Sequence, residues 1–298
     1  MLYRTEKLDR SVKSFESLRS RVGRVFSSTE FARDPRQQSF YFSNSDHFDF
    51  ELPTRSLSGF IDFLSAAVPN GEVYIFGGML RDLALYGRRG FNSDIDIVVE
   101  GGWDSFVQYL AKIGARRNKF GGYRLFAGDW PIDIWNAEET WAIRQGLVRY
   151  SGISSLNETT VLNWDAILMN WRTKNFVCSE SYLDCLRNRV LDVVLENNPN
   201  PLGMAVRVFR HLSTKDARKI GRDAARYLEL CTSSYSFDEL VSSEVKSYRS
   251  SLIDPALYRF FSLVRNRRAK SVELRFEEAA KILYEEGAGR KCVQFGLF

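Results

Sequence analysis

Val73-Tyr74-Ile75-Phe76-Gly77-Gly78-Met79-Leu80-Arg81-Asp82 and, one loop later, Asp94-Ile95-Asp96-Ile97-Val98-Val99 decide how this chain is read. The apolar run 72–76 predicts a strand, the glycine pair a sharp turn, and Met79 to Tyr86 a helix. The second stretch alternates acid with Ile or Val. Side chains alternate across a strand, so Asp94 and Asp96 point one way and Ile95, Ile97 and Val99 take the opposite, buried face. Pro131-Ile132-Asp133-Ile134-Trp135 has the same pattern and adds a third carboxylate. Carboxylates crowded on one face repel one another unless a cation sits among them. Hard divalent ions such as magnesium bind one or two carboxylates together with substrate phosphates. A pair of such ions can clamp the attacking and leaving oxygens of a phosphoryl displacement. The glycine turn suits the same chemistry. Without side chains at Gly77 and Gly78 a phosphate can approach the backbone, and the helix that begins there attracts anions through its free N–H groups and dipole. Arg81, in the first turn, is placed to reach the same phosphates.

Outward from this centre the chain reads as helices around strands, then helices alone. Leu57, Phe60, Ile61, Leu64 and Val68 form a helical stripe that ends at Pro69-Asn70-Gly71. Gly87 to Ser93 is a loop, Trp103 to Ile113 a helix, and strands are expected near 123–127, 130–135 and 163–171. From about 181 helical patterning dominates. Before the centre, Leu8, Val12, Phe15, Leu18 and Val22 recur at helical spacing, and Gln37 to Asn44 is polar and aromatic without period. The expected fold class is α+β. The expected domains are a basic N-terminal extension at 1–50, a head at 51–195 built on a small mixed sheet, and an all-helical neck and body at 196–298.

A chain of 298 residues with 44% hydrophobic and 27% charged content can bury a sizeable core. No apolar run reaches membrane-spanning length and the N-terminus lacks a signal-peptide stretch, so a cytoplasmic protein without a membrane partner is expected. The four cysteines show no metal-ligand spacing and there are two histidines, His47 and His211, so reduced thiols are expected rather than a disulfide framework or zinc site. The net charge is +5. Residues 1–36 hold nine Lys/Arg against five Asp/Glu, and Arg259, Arg265, Arg267, Arg268 and Lys270 form a second concentration. Such patches attract polyanions through counterion release, although a solvated basic face has the same composition.

Phe76 to Asp82 and Ser93 to Val98 resemble the signature of class II tRNA CCA-adding enzymes and bacterial poly(A) polymerases, within the DNA polymerase beta-like nucleotidyltransferase superfamily. The resemblance is tight over 72–100, looser to about 211, and absent from 1–50 and 230–298. It implies a polymerase-beta-like head, with Asp94 and Asp96 as ligands of two catalytic magnesium ions. A third acid from a neighbouring strand completes such a site, and Asp133 is the best match. Asp129, Glu138 and Glu139 compete for that role but lack its flanking apolar alternation. Gly77, Gly78 and Arg81 fall on the nucleotide-binding turn. Asn163-Trp164-Asp165-Ala166-Ile167 is similar to a strand beside the bound nucleotide in that family, so Asp165 is a nucleotide-binding candidate with a structural role as the alternative. Pro201 to His211 resembles the neck helix, where Arg207 and Arg210 share a face and are candidates for gripping phosphates.

Two departures are evident. Glu158-Thr159-Thr160-Val161 stands where the family has Arg-Arg-Asp, and the positions that read the base hold Asn200, Pro201 and Met204. The resemblance therefore implies transfer of a nucleoside monophosphate from a nucleoside triphosphate to an RNA 3′ end, tRNA being the leading acceptor, with release of pyrophosphate. The alternatives are a relaxed-specificity nucleotidyltransferase acting on tRNA or protein as a toxin or defence element, and a non-catalytic RNA-binding module. Antibiotic nucleotidylation fits less well.

Overall fold

The computed structural model describes residues 10–28, 56–88, 94–118, 120–127, 130–266, 271–286 and 296–297. The expected loop residues 89–93, the stretch 37–44, and Leu8, His47, Asp129, Arg267, Arg268, Lys270 and Cys292 lie outside them. The chain divides into two compact units, one holding residues 1–159 and 165–183, the other 160–164 and 184–298.

The first unit is built on a seven-stranded mixed sheet in the order β3-β4-β5-β2-β1-β6-β7. Its strands are β1 (Glu72–Phe76), β2 (Ile95–Glu100), β3 (Arg116–Arg117), β4 (Tyr123–Ala127), β5 (Trp130–Asn136), β6 (Ile167–Asn170) and β7 (Phe176–Cys178). Only β2 and β5 pair in parallel. A parallel pair needs a crossover, and the segment through helix α4 (Trp103–Lys112) supplies it. The sheet has two unlike faces. Ile75, Ile97, Ile134 and Met169 are register partners on one face and are fully buried. Helices α2 (Leu57–Ala66) and α3 (Gly78–Tyr86) contact β1. The expected stripe of α2, Leu57, Phe60, Ile61 and Leu64, is buried, and the Ser56 side chain caps its N-terminus by accepting from the Gly59 N–H at 3.1 Å. On the opposite face Tyr74, Val98, Ala137, Leu156 and Leu168 form a second core, joined by Trp135 of β5 and by Tyr150 and Ile153 from the segment that follows it.

Helix α1 (Phe15–Ser28) belongs to this unit and packs on α2 and α3. Part of the N-terminal positive charge is used structurally. Arg21 donates to the carbonyls of Leu83 and Ala84 at 2.9 and 3.2 Å, near the C-terminus of α3, where a cation complements the helix dipole. The stretch expected as one strand over 163–171 divides into a 3-10 turn at Asn163–Asp165 and β6.

The second unit is mainly helical: α7 (Pro201–Thr214), α8 (Arg222–Ser234), α9 (Phe237–Tyr248), α10 (Pro255–Arg265) and α11 (Val272–Glu285). Helix α6 (Tyr182–Arg187) spans the boundary in sequence. Phe260 meets Phe261 and Phe276 edge-on, with centroids 5.2 and 5.1 Å apart, at the centre of the α10–α11 packing. The unit also contains a small parallel ladder of β8 (Val190–Leu191), β9 (Lys219–Ile220) and β10 (Gly296–Leu297), the last two within the stretch 196–298 that was expected to be helical. Two-residue strands carry too few side chains to show a period of two, so the sequence pattern does not reveal them. No helix among the described residues is long and apolar enough to cross a membrane.

Candidate active site

Strand register places the acids. Asp96 of β2 lies opposite Asp133 of β5, and Arg124 of β4 lies opposite Asp133 from the other side. Phe76 of β1 pairs with Asp96, and Leu168 of β6 with Phe76. Directly opposed residues share a face. Arg124, Asp133, Asp96, Phe76 and Leu168 therefore form one row across the sheet, charged at the β4 end and apolar at the β6 end. Asp94 precedes β2 instead of lying within it and is exposed, which gives its carboxylate more freedom than the expected strand would.

Arg124 joins these acids. Its Nε donates to Asp133 Oδ1 at 2.7 Å and its Nη2 to Asp133 Oδ2 at 2.5 Å, a bidentate pair. The same Nη2 reaches Asp94 Oδ2 at 3.0 Å. The bonds to Asp133 and the nearby charges of Asp133, Asp94 and Asp96 raise the affinity of this guanidinium for its proton, against the cost of partial burial. Asp133 is buried, whereas Arg124 is half exposed. The sequence reading missed Arg124. Its only signal was position, since a residue on the strand next to Asp133 and facing the same way must meet that carboxylate.

Asp96 Oδ1 lies 3.4 Å from the indole Nε1 of Trp135, a long contact from the next residue but one along β5's acidic face. The following acid on that face of β2, Glu100, is already engaged. It accepts from the Tyr150 hydroxyl at 2.6 Å and the Tyr74 hydroxyl at 3.1 Å, and burial followed by these bonds keeps the Tyr150 phenol protonated far above its usual range.

The Gly77-Gly78 turn is built as its residues require. Gly77 has φ 72° and ψ −125°, a conformation that disfavours a side chain, and a Cβ on it would meet the Asp165 carbonyl oxygen at 3.5 Å. Its N–H donates to the Ile167 carbonyl at 2.9 Å, so β6 holds the turn, and Gly78 opens α3. Arg81 differs from expectation. It is 3% exposed, its Nε donates to Asp82 Oδ1 at 2.8 Å, and its Nη1 donates to Asp165. Burial opposes its charge, but Asp165 and Asp82 outweigh it and hold the guanidinium firmly protonated. As arranged, Arg81 and Asp165 tie α3 to the turn before β6 and face inward, because a buried charge must be paired where it lies.

The remaining two candidates lie in the second unit. Arg207 is half-buried on α7. Arg210 donates to Glu244, which is 0% exposed, and stacks on Tyr248 with its guanidinium carbon 4.4 Å from the ring centroid. Glu244 also accepts from the N–H groups of Leu252 and Ile253 at 3.0 and 3.2 Å. Met204 is 2% exposed within the same helix.

As they stand, no three His, Cys, Asp or Glu among the described residues form a cluster able to hold a metal ion. The donor chemistry nevertheless fits a hard divalent cation. One guanidinium nitrogen already occupies the point on which the Asp94 and Asp133 oxygens converge, standing in for a cation there, and Asp96 lies beside Asp133 in register.

No family model matches the chain, and no curated protein matches it. Among solved structures, it is similar to a CCA-adding enzyme in complex with CTP at 18% identity, over 78% of this chain and 60% of that one, with a TM-score of 0.49. A CCA-adding enzyme in complex with ATP matches at 17% identity over 76% and 57%, with a TM-score of 0.49. A tRNA nucleotidyltransferase complexed with a primer tRNA and an incoming ATP analog matches at 15% identity over 72% of each chain, with a TM-score of 0.43. The chain thus spans 60% of the length of the first of these.

Proposed function

We propose that this chain is a nucleotidyltransferase that moves a nucleoside monophosphate from a nucleoside triphosphate to the 3′ hydroxyl of an RNA, with tRNA as the leading acceptor. The carrying observation is the register of Asp96 with Asp133, with Asp94 and Asp133 both bonded to the Arg124 guanidinium. Carboxylates set directly opposite one another, as Asp96 and Asp133 are, do not stabilise a sheet by themselves. The arrangement is explained if the acids serve a reaction in which phosphate charge must be neutralised. Asp94, Asp96 and Asp133 would hold divalent magnesium, two ions by the family resemblance; bound there, magnesium supplies positive charge for the phosphates and acidifies an adjacent hydroxyl. With the Gly77 N–H held by Ile167, the first turn of α3 from Gly78 onward offers its backbone N–H groups to the triphosphate. The acceptor hydroxyl loses its proton to solvent as its oxygen forms a bond to the α-phosphorus, the bond from that phosphorus to the bridging oxygen breaks, and pyrophosphate leaves with the electron pair. The protein contributes positioning and charge more than covalent chemistry.

A second reading, relaxed nucleotide choice with an acceptor that is tRNA or protein, is favoured by the buried apolar side chain of Met204 at a base-reading position. The test is incubation of the purified chain with magnesium and each labelled triphosphate in turn, with total RNA or cell extract as acceptor. Label at RNA 3′ ends from one or two triphosphates supports the first reading. Label on protein, or from all four triphosphates alike, supports the second. Salt-dependent RNA binding with no incorporation under any condition rejects both and leaves an RNA-binding module.

A further inference from the structure

We propose that Arg124 is a built-in counter-cation of the carboxylate site, and that the guanidinium and a divalent cation are alternative occupants of it. The inference rests on the nucleotidyltransferase reading. Its support is the position of Arg124: it is the cross-strand partner of Asp133 on the same sheet face, so its side chain is delivered to the acids by the strand pairing itself. It makes a bidentate pair with Asp133 and reaches Asp94 with the same nitrogen, so one guanidinium joins the two carboxylates.

The contrast with Arg81 shows what this pair is suited to. Arg81 is sealed in the interior with two carboxylates, and moving it would strand buried charge. The Arg124 side chain is 46% exposed and that of Asp94 49%. Water can take over the bonds of either, but Asp133, whose side chain is 10% exposed, would be left without its counter-charge if Arg124 simply departed, so the guanidinium yields its place only as a metal ion arrives. The balance of charge also favours exchange. One guanidinium leaves three carboxylates undercompensated, and an ion of double charge offsets them better at the same point. The pair therefore keeps Asp133 and Asp94 aimed at one spot before the metal arrives. It also lowers the apparent affinity for metal by the fraction of molecules in which Arg124 is in place.

The test is direct Mn²⁺ binding to the full chain without nucleotide, followed by the electron paramagnetic resonance of free Mn²⁺, with label incorporation measured on the same preparations. Arg124→Ala is expected to bind Mn²⁺ about three- to tenfold more tightly than the unaltered chain. Arg124→Lys, which keeps the charge and loses the fork, should fall between the two and covers the case in which the alanine variant folds poorly by circular dichroism. Arg117→Ala, removing a charge from β3 on the opposite face, should bind as the unaltered chain does. Equal Mn²⁺ affinity in the unaltered chain and both folded Arg124 variants, with incorporation intact in the former, overturns the role of Arg124 and leaves nucleotidyl transfer standing. The same affinity gain in Arg117→Ala reduces the effect to general electrostatics and also overturns it. Absence of both Mn²⁺ binding and incorporation overturns the proposal together with the reading beneath it.

Discussion

The six-membered ring of Trp135 lies against the backbone of Gly122. A Cβ on Gly122 would fall 2.7 Å from Cζ3 and 2.8 Å from Cδ2 of that ring, so only glycine leaves room for it. The other end of the same indole points its Nε1 at Asp96. A glycine on β4's approach thus helps to set an acid on β2, two strands away in the order β4-β5-β2.

Gly122→Ala is expected to push the indole off its seat, at a cost of about 1–3 kcal/mol in stability. It should also shift the tryptophan emission. Trp135→Phe keeps most of the ring but lacks the N–H, and should lower nucleotide incorporation severalfold with little change in melting temperature. Unchanged incorporation in a folded Trp135→Phe protein would show that the contact with Asp96 does not orient the acid.

Replacing Asp96 by Asn removes one charge and almost no volume. Incorporation should fall at least about a hundredfold, as for loss of a group that stabilises transition-state charge. Circular dichroism and melting should stay near those of the unaltered chain, since Asp96 is half-buried and not part of an apolar core. Turnover close to normal would remove it from the reaction.

Arg81 provides a test of a different kind. If it holds α3 to Asp165, Arg81→Ala removes the guanidinium bonded to two buried carboxylates and should destabilise the fold by about 3–5 kcal/mol. A rise in KM for the triphosphate with an unchanged melting temperature would instead make it a phosphate ligand.

Arg210 and Glu244 should separate in the same way. Glu244→Ala removes a fully buried acceptor of Arg210 and of two backbone N–H groups, and should cost about 3–5 kcal/mol by thermal unfolding. Arg210→Ala should destabilise as well. Loss of RNA binding in Arg210→Ala without destabilisation would point to phosphate contact instead.

Much of the first unit was legible because its signals are local. The strands at 72–76, 123–127 and 130–136, helices α3 and α4, and the acid-apolar alternation of β2 follow from side-chain period and from glycine and proline punctuation within a few residues. The α+β class follows from the order of those elements. The three acids could be singled out as candidates, because Asp beside Ile or Val at a spacing of two is a pattern a single strand can carry. Tertiary structure alone decided what stands next to what. Arg124 became the cation among the acids through the antiparallel register of β4 with β5, and Arg81 turned inward because Asp165, far along the chain, supplies its counter-charge. Sequence records the period of each element; which charges neutralise one another depends on strand order and burial, through distances that exist only once the chain has closed on itself.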